Sequence, residues 1–222
     1  MDWPALILSL KLAGATTLVL LPLGVILGRL LAFHDFRGKR WVEAAITLPL
    51  VLPPTVLGYY LLIALGVASP LGQAWQTLTG QTLVFSFSGL LIASVVFNLP
   101  FAIQPLQRAF EGVGQDLRQA AWVGGLSGWK TFRKVELPLA WPGLLSALVL
   151  TFTHTLGEFG VVLMVGGAIP GETRTIAISI YDRVQAFDTA GAGIMSAFLL
   201  LSAFLAIAVV YGVGARAVRL RG

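Results

Sequence analysis

Two groups of polar residues in this chain have side chains and spacing that could do chemistry. The first recurs at the three- and four-residue intervals of one helix face and comprises Thr151, His154, Thr155 and Glu158. An imidazole one turn from a carboxylate could transfer protons, but no nucleophile or set of metal ligands adjoins it, and the chain has no cysteine. We therefore expect neither catalysis nor a metal site. These residues either line a membrane pathway or form a polar cluster that fixes helix packing.

The second group is a basic segment, residues 108–137, between two apolar runs. Its basic residues are Arg108, Arg118, Lys130, Arg133 and Lys134. Leu117, Ala120 and Ala121 fall on one face of a predicted helix, with Arg118 turned elsewhere. Three glycines, at positions 124, 125 and 128, then break this helix. A second short helix is predicted over residues 131–136, and Pro138 suits the first turn of the helix that follows.

This helix–bend–helix segment is typical of a surface that another protein binds. The small side chains of Ala120 and Ala121 allow the first helix to lie deep in a groove on a partner. Residues 124–131 also resemble a phosphate-binding loop, but Trp129 separates Gly128 from Lys130, and no strand precedes them. We therefore expect no nucleotide to bind this chain.

The elements that position both groups are membrane helices. The chain has 222 residues, of which 57% are hydrophobic and 11% charged, whereas soluble domains carry about 25% charged residues. Its mean hydropathy is +0.86. Five apolar runs reach the length of about 20 residues that a helix needs to cross a bilayer: residues 5–33, 41–66, 83–107, 138–166 and 192–215. We predict an all-α, polytopic membrane protein with one transmembrane domain, residues 1–222.

The loops between these runs predict the orientation. Eleven of the 15 Lys and Arg residues lie in residues 34–40, in residues 108–137 and in a tail that ends with Arg216, Arg219 and Arg221. Basic residues concentrate on the cytoplasmic side of membrane proteins, so we expect the N-terminus outside and the C-terminus inside. The same distribution explains the net charge of +5 without a nucleic-acid partner.

Prolines and glycines give further expectations about the spans. Prolines at positions 49, 53 and 54 should interrupt the second span, and Pro100 and Pro105 the third. Such breaks suit a helix that lines a pathway, which makes Pro53, Pro54 and Thr55 candidate pathway residues, although simple kinks remain an alternative. Gly24 and Gly28 are spaced for close helix approach.

The basic segment resembles the EAA loop of binding-protein-dependent ABC importer permeases. Gln119-Ala120-Ala121, Gly125 and Val135-Glu136-Leu137-Pro138 match its spacing, with Gln in place of the usual Glu and Val in place of Ile. The resemblance implies a cytoplasmic coupling loop that docks on a separate ATPase, so ATP is bound by the partner and this chain carries no cofactor. The implied coupling residues are Leu117, Arg118, Gln119, Ala120, Ala121, Gly125, Val135, Leu137 and Pro138.

Three other segments are similar to the molybdate permease subunits of ABC importers: residues 48–60, 155–160 and 169–175. The resemblance implies a type I ABC importer permease-like core in the cell inner membrane, which forms a homodimer in the lipid bilayer. Its implied partners are a cytoplasmic ABC ATPase dimer and a periplasmic or surface-anchored oxyanion-binding protein. Alternatives are a sulfate/thiosulfate or tungstate permease, an ATPase-independent channel or secondary transporter, a membrane enzyme, or a sensor or assembly protein.

An oxyanion substrate suggests roles for three further charged residues. Arg174 and Arg183, on the outer side, could attract an anion or contact a loaded binding protein. Local pairing with Glu172 and Asp182 is the alternative that we prefer. A negative Glu158 beside the route would repel the substrate, so we expect Glu158 to have a structural role.

Overall fold

The computed structural model describes residues 1–219 and, within the last helix, side chains as far as Gly212. Every regular element in residues 1–219 is helical, which confirms the all-α prediction. The side chains of the basic tail, at Arg216, Arg219 and Arg221, lie outside the described residues. The helices are α1 Trp3–Phe33, α2 Lys39–Val51, α3 Pro54–Leu65, α4 Pro70–Thr79, α5 Phe87–Glu111, α6 Gln115–Val123, α7 Gly128–Thr131, the π-helical segment Phe132–Glu136, α8 Leu137–Leu139, α9 Trp141–Gly157, α10 Gly160–Gly166, α11 Ile176–Gln185 and α12 Thr189–Arg219.

Within residues 1–219, three helices are long and apolar enough to cross a membrane, and the number rises to as many as five if each of two bent pairs counts as one span. The predicted second span is not one straight helix, because α2 and α3 meet at an angle of 113°. The predicted fourth span begins after a bend of 68° before Trp141 and is divided again into α9 and α10. Pro53 and Pro54 explain the first break, because two successive prolines supply no backbone N–H donor. The break between α9 and α10, at Glu158, was not predicted, because no proline marks it in the sequence.

The predicted interruption of the third span is wrong. α5 runs without a break through Pro100 and Pro105 and continues to Glu111, four residues into the segment expected to be a loop. Packing explains this continuity, because α5 lies against both α1 and α9, and buried neighbours hold a membrane helix straight despite a lost hydrogen bond.

The core of the bundle consists of α1, α5 and α9 in mutual contact. A Cβ atom on Gly24 would lie 3.0 Å from the Ala102 carbonyl oxygen, and one on Gly28 would lie 2.9 Å from the Gln107 nitrogen. These contacts confirm the close approach predicted from the glycine spacing. They also advance together along both chains, so α1 and α5 run in the same direction.

The partner helix α9 runs in the opposite direction. Gly143, near its start, lies against Ala109, and His154, near its end, contacts Asn98. The second halves of the two broken spans also pair: Gly160 lies against Pro54, and Gly58 against Met164, so α3 and α10 run parallel to each other. This alternation is the one expected for spans that cross a membrane in sequence.

We predict that a methyl group at Gly28 destabilises the bundle and that one at Gly14 does not. The Cβ of Gly28→Ala would lie 3.1 Å from Leu106 Cβ, whereas Gly14, on the same helix, has no atom within 4 Å. Overpacking should lower the free energy of unfolding of Gly28→Ala by about 1–3 kcal/mol. Gly14→Ala should be neutral or gain up to about 1 kcal/mol from helix propensity. Denaturant titration of the purified variants in detergent measures both values, and equal stabilities would contradict the close contact.

Candidate functional site

The basic segment folds as a helix, a glycine turn and a second helical stretch. α6 ends at Val123, and Gly125 occupies the left-handed region at φ +81°, where glycine is strongly favoured. α7 then starts with the Ser127 hydroxyl as its N-cap. The second predicted helix, residues 131–136, differs from expectation because Phe132–Glu136 is π-helical.

α6 lies on the surface of the protein. All nine of its residues are at least partly exposed, including Gln119, Ala120 and Ala121. Leu117 is 52% exposed and Val123 90% exposed. Apolar side chains left in contact with solvent on a short helix are typical of a surface that a partner covers.

A buried carboxylate holds this segment to the bundle. The side chain of Glu136 is fully buried, and it accepts from Arg29 Nε at 2.5 Å and from Arg118 Nε at 2.9 Å. Arg29 Nη2 donates a further hydrogen bond at 3.2 Å. Arg29 belongs to α1 and Arg118 to α6, so one carboxylate joins the basic segment to the first long helix.

Aromatic rings surround the two guanidinium groups. The Arg118 guanidinium lies 3.7 Å from the centre of the Phe33 ring and 5.0 Å from that of Trp122. Arg29 lies 5.6 Å from the Phe132 ring. Cation–π attraction adds to the ion pairs at such distances, so α6 is fixed against the end of α1.

Sequence reasoning placed Arg118 in the segment but missed Glu136, which is the partner of both Arg118 and Arg29. A signal existed, because an arginine inside an apolar span requires a partner, and Glu136 is an acidic residue that directly follows a basic run. The 107 positions between Arg29 and Glu136 hid the pairing.

The intramembrane polar residues belong to α9 and to the break after it. His154 Nδ1 lies 3.0 Å from Asn98 Oδ1, and its ring stacks on Phe101 at a centroid distance of 4.0 Å. Thr151 and Thr155 are buried, and the Thr155 hydroxyl donates to the Thr151 carbonyl at 2.7 Å. These side chains face other helices of the same chain.

Glu158 lies at the break, where α9 has ended and α10 begins. Its carboxylate accepts the Val161 N–H at 2.9 Å and thereby caps α10. On the facing span, Pro53, Pro54 and Thr55 are exposed at the start of α3. The two breaks adjoin, because a Cβ on Gly160 would lie 2.7 Å from Pro54 Cβ.

The two arginines of residues 167–191 pair with nearby acidic residues. Arg174 Nε lies 3.1 Å from Asp182 Oδ2, and Arg174 Nη2 lies 4.0 Å from Asp2 Oδ2. Arg183 pairs with Asp188. Local pairing was therefore expected correctly for Arg174 with Asp182, but the partner of Arg183 is neither Glu172 nor Asp182.

Asp2 ties the start of α1 to α11. Its carboxylate caps α1 by accepting the Ala5 N–H at 3.2 Å, and it accepts the Ser179 hydroxyl at 2.7 Å. Burial raises the pKa of Asp2, but these hydrogen bonds and the positive charge of Arg174 lower it by more, so the pKa lies below its ordinary value. Asp2 is therefore more acidic in the folded protein than in the unfolded chain.

Comparison with known proteins assigns this arrangement to a class. The profile of the family described as "Binding-protein-dependent transport system inner membrane component" matches residues 21–220. The chain belongs to this family and is a multi-pass transport component of the inner membrane.

The relatives and the solved structures narrow the class further. The chain is 46% identical to the molybdenum transport system permease protein ModB of Azotobacter vinelandii, over 95% of this chain and 93% of that protein. It is 39% identical to ModB of Escherichia coli K12, over 83% and 80%. A probable sulfate transport system permease protein of Chlorella vulgaris is 34% identical, over 91% and 76%.

Two solved transporters share the fold at low sequence identity. A bacterial ABC transporter that imports the polysaccharide alginate has a TM-score of 0.70 at 17% identity, over 99% of this chain and 79% of that one. The MetNI methionine ABC transporter has a TM-score of 0.69 at 19% identity, over 97% and 94%. The fold is that of a type I ABC importer permease, as the sequence resemblance implied.

We predict that Glu136→Gln destabilises the protein far more than Glu111→Gln. The first change leaves two guanidinium groups without their buried carboxylate, which costs about 3–5 kcal/mol, with the lower end expected because Arg29 is 29% exposed. Glu111 pairs with an Arg108 side chain that is 81% exposed, so its loss should cost less than about 1 kcal/mol. Chemical unfolding followed by tryptophan fluorescence compares the two variants. Equal losses of unfolding free energy would contradict a stabilising role for the buried Glu136 ion pairs.

We predict a pH-dependent difference between the wild type and Asp2→Asn. A carboxyl whose pKa is lowered by folding stabilises the folded state above its unfolded pKa, and this contribution disappears as the pH falls through the folded pKa. Asparagine keeps the helix cap through its single amide oxygen, but it removes the charge and the second oxygen, which accepts the Ser179 hydroxyl. The wild type should therefore melt at a higher temperature near pH 7, and the difference should shrink as the pH falls below the ordinary carboxyl pKa of about 3.9. A difference that grows on acidification would refute this account.

Proposed function

We propose that this chain is the permease subunit of an ATP-driven ABC importer for a tetrahedral oxyanion, namely molybdate. The support for the substrate is the gradation among relatives: molybdenum permeases are 38–46% identical, whereas the sulfate permeases are 30–34% identical. Two chains would pair about an axis normal to the membrane, since five spans are few for an enclosed pore and two-fold symmetry is the commonest.

The observation that carries a coupled importer is the attachment of α6 to α1 through Glu136. A surface helix that only connects two spans needs no buried ion pair, whereas a helix that transmits force from a partner must be fixed to the helices that move. We propose that a cytoplasmic ATPase dimer binds the exposed face of α6, with Leu117, Ala120 and Ala121 against it. With α6 on the cytoplasmic side, the N-terminus would lie outside and the C-terminus inside.

We propose that the substrate route passes beside the adjoining breaks. Discontinuous membrane helices commonly border the substrate sites of transporters, and here the exposed Pro53, Pro54 and Thr55 begin α3 beside the start of α10. Thr151, His154 and Thr155 contact other helices of this chain, so they would support the route from behind. On the outer side, the Arg174 and Arg183 region would meet the oxyanion-binding protein.

ATP-driven closure of the ATPase dimer would bring the two copies of α6 together. Since α6 is fixed to α1, and α1 packs on α5 through its glycines, the movement would reach the bundle and switch access from inward to outward. A binding protein would then release its anion into the outward-facing route.

A sulfate or tungstate permease differs from this proposal only in the ion. An ATPase-independent channel or secondary transporter is a different class, and it would leave the exposed face of α6 without a partner. Radioactive molybdate uptake into proteoliposomes that contain the permease, the ATPase and the binding protein tests both points. Uptake should require ATP and should resist competition by excess sulfate. Uptake at the full rate without the ATPase would refute the coupled importer.

We predict that Ala121→Glu abolishes binding of the ATPase while the permease still inserts in the membrane. Glutamate at this face adds a charge and a longer side chain where a partner groove would close on a methyl group. Gln119→Glu is the matched control, because it places the same charge two residues earlier, where the EAA pattern usually has glutamate. Co-purification with the ATPase should be lost for the first variant and kept for the second. ATPase recovered equally with both variants would refute docking on this face.

A further inference from the structure

A groove of about 450 Å³ lies between α1 and the second half of the basic segment. From α1 it is lined by Val25, Ile26, Arg29, Leu30 and His34, and from the segment by Gly128, Trp129 and Phe132. Two of these residues, Arg29 and Phe132, also take part in the contacts around Glu136.

The groove is apolar along most of its length and opens to the surroundings of α1. Ile26, Leu30 and His34 follow one another at four-residue intervals on the same stripe of that helix. Ile26 is 62% exposed and Leu30 40% exposed, and Trp129 on the other wall is 66% exposed. Because α1 is long and apolar enough to cross a membrane, lipid would contact this stripe, and Trp129 is the residue type that membrane interfaces favour.

The groove carries positive charge where Arg29 lines it. Arg29 and Arg118 share the single carboxylate of Glu136, which leaves one net positive charge, and Arg29 lines the groove with 29% of its side chain exposed. The described residues that line the groove include no acidic side chain. The exposed side chains of Lys130 and Arg133 follow on the same segment.

We propose that this groove binds one anionic phospholipid. Its acyl chain would lie along Ile26 and Leu30 against Trp129, and its phosphate would lie at the end formed by Arg29 and His34. A free oxyanion would gain nothing from the apolar length of the groove, whereas a lipid uses both the apolar and the charged part. The leaflet follows from the proposed orientation: it is the cytoplasmic one, whose surface attracts basic residues through anionic lipids.

A lipid in this position would join the same two parts that Glu136 joins. It would contact α1 along one side and α7 and Phe132 along the other, so its loss would loosen the basic segment without breaking the ion pairs. The occupancy of the groove would therefore alter how firmly α6 is held.

Native mass spectrometry of the purified full-length chain tests the proposal. The chain is exposed to equal amounts of phosphatidylglycerol and phosphatidylcholine with identical acyl chains, and the lipid retained is counted. We expect one phosphatidylglycerol to be retained with a preference of about five-fold, the factor that one basic residue near an anionic lipid supplies. Ile26→Trp fills the groove and should abolish the preference. Leu18→Trp is the matched control, since Leu18 is 76% exposed on the same helix and does not line the groove.

Three outcomes would overturn the proposal. The first is equal retention of the two lipids by the wild type, and the second is undiminished retention by Ile26→Trp. The third is displacement of the lipid by inorganic phosphate or by added ATPase, which would assign the groove to a free anion or to a protein. If Ile26→Trp does not fold, Trp129→Ala removes one wall and should reduce retention in the same way. The readout is lipid bound to this chain, so it stands or falls separately from molybdate transport.

Discussion

The buried carboxylate of Glu136 is the constraint on which one end of this molecule depends. Removing a carboxylate from water costs several kcal/mol unless opposite charges and hydrogen bonds replace the water, and here two guanidinium groups do so from positions 107 and 18 residues away. Burial of that one group therefore requires α1, α6 and the π-helical segment to meet. The rings of Phe33 and Trp122 hold Arg118 in the same place. The exposed helix is consequently attached to the bundle by charge rather than by a core of its own.

Beyond the Glu136 ion pairs, close contacts at glycines join α1, α5 and α9. Gly28 brings α1 against the backbone of α5, and Gly143 brings α9 against Ala109 of the same helix. At the far end of α1, the Asp2 carboxylate binds Ser179 of α11. α1 is thus held near its start by Asp2 and near its end by Glu136. Between them, its glycines lie in close contact with α5.

The sequence allowed prediction of features that depend on local chemistry. Two adjacent prolines end α2, glycine occupies the left-handed turn at Gly125, and the glycine pair in α1 permits a close contact. It did not allow prediction of features set by distant partners. Pro100 and Pro105 look like breaks until α1 and α9 are packed around them, and Glu158 looks like a mid-helix residue until its carboxylate is seen to cap α10. The pairing of Glu136 with Arg29 was not predicted for the same reason, because no periodicity connects residues that are 107 positions apart.

The π-helical segment determines how one additional residue is accommodated between α7 and α8. Its turn closes from the Leu137 N–H to the Phe132 carbonyl, so it contains one residue more than an α-helical turn. The wide turn absorbs this additional residue, whereas in an uninterrupted α-helix one additional residue would rotate everything before it by about 100°. With the wide turn in place, Arg118 Nε reaches the Glu136 carboxylate at 2.9 Å. A change of one residue in this spacing can therefore be accommodated by conversion between the π-helical and the α-helical turn, without turning α6 away from Glu136.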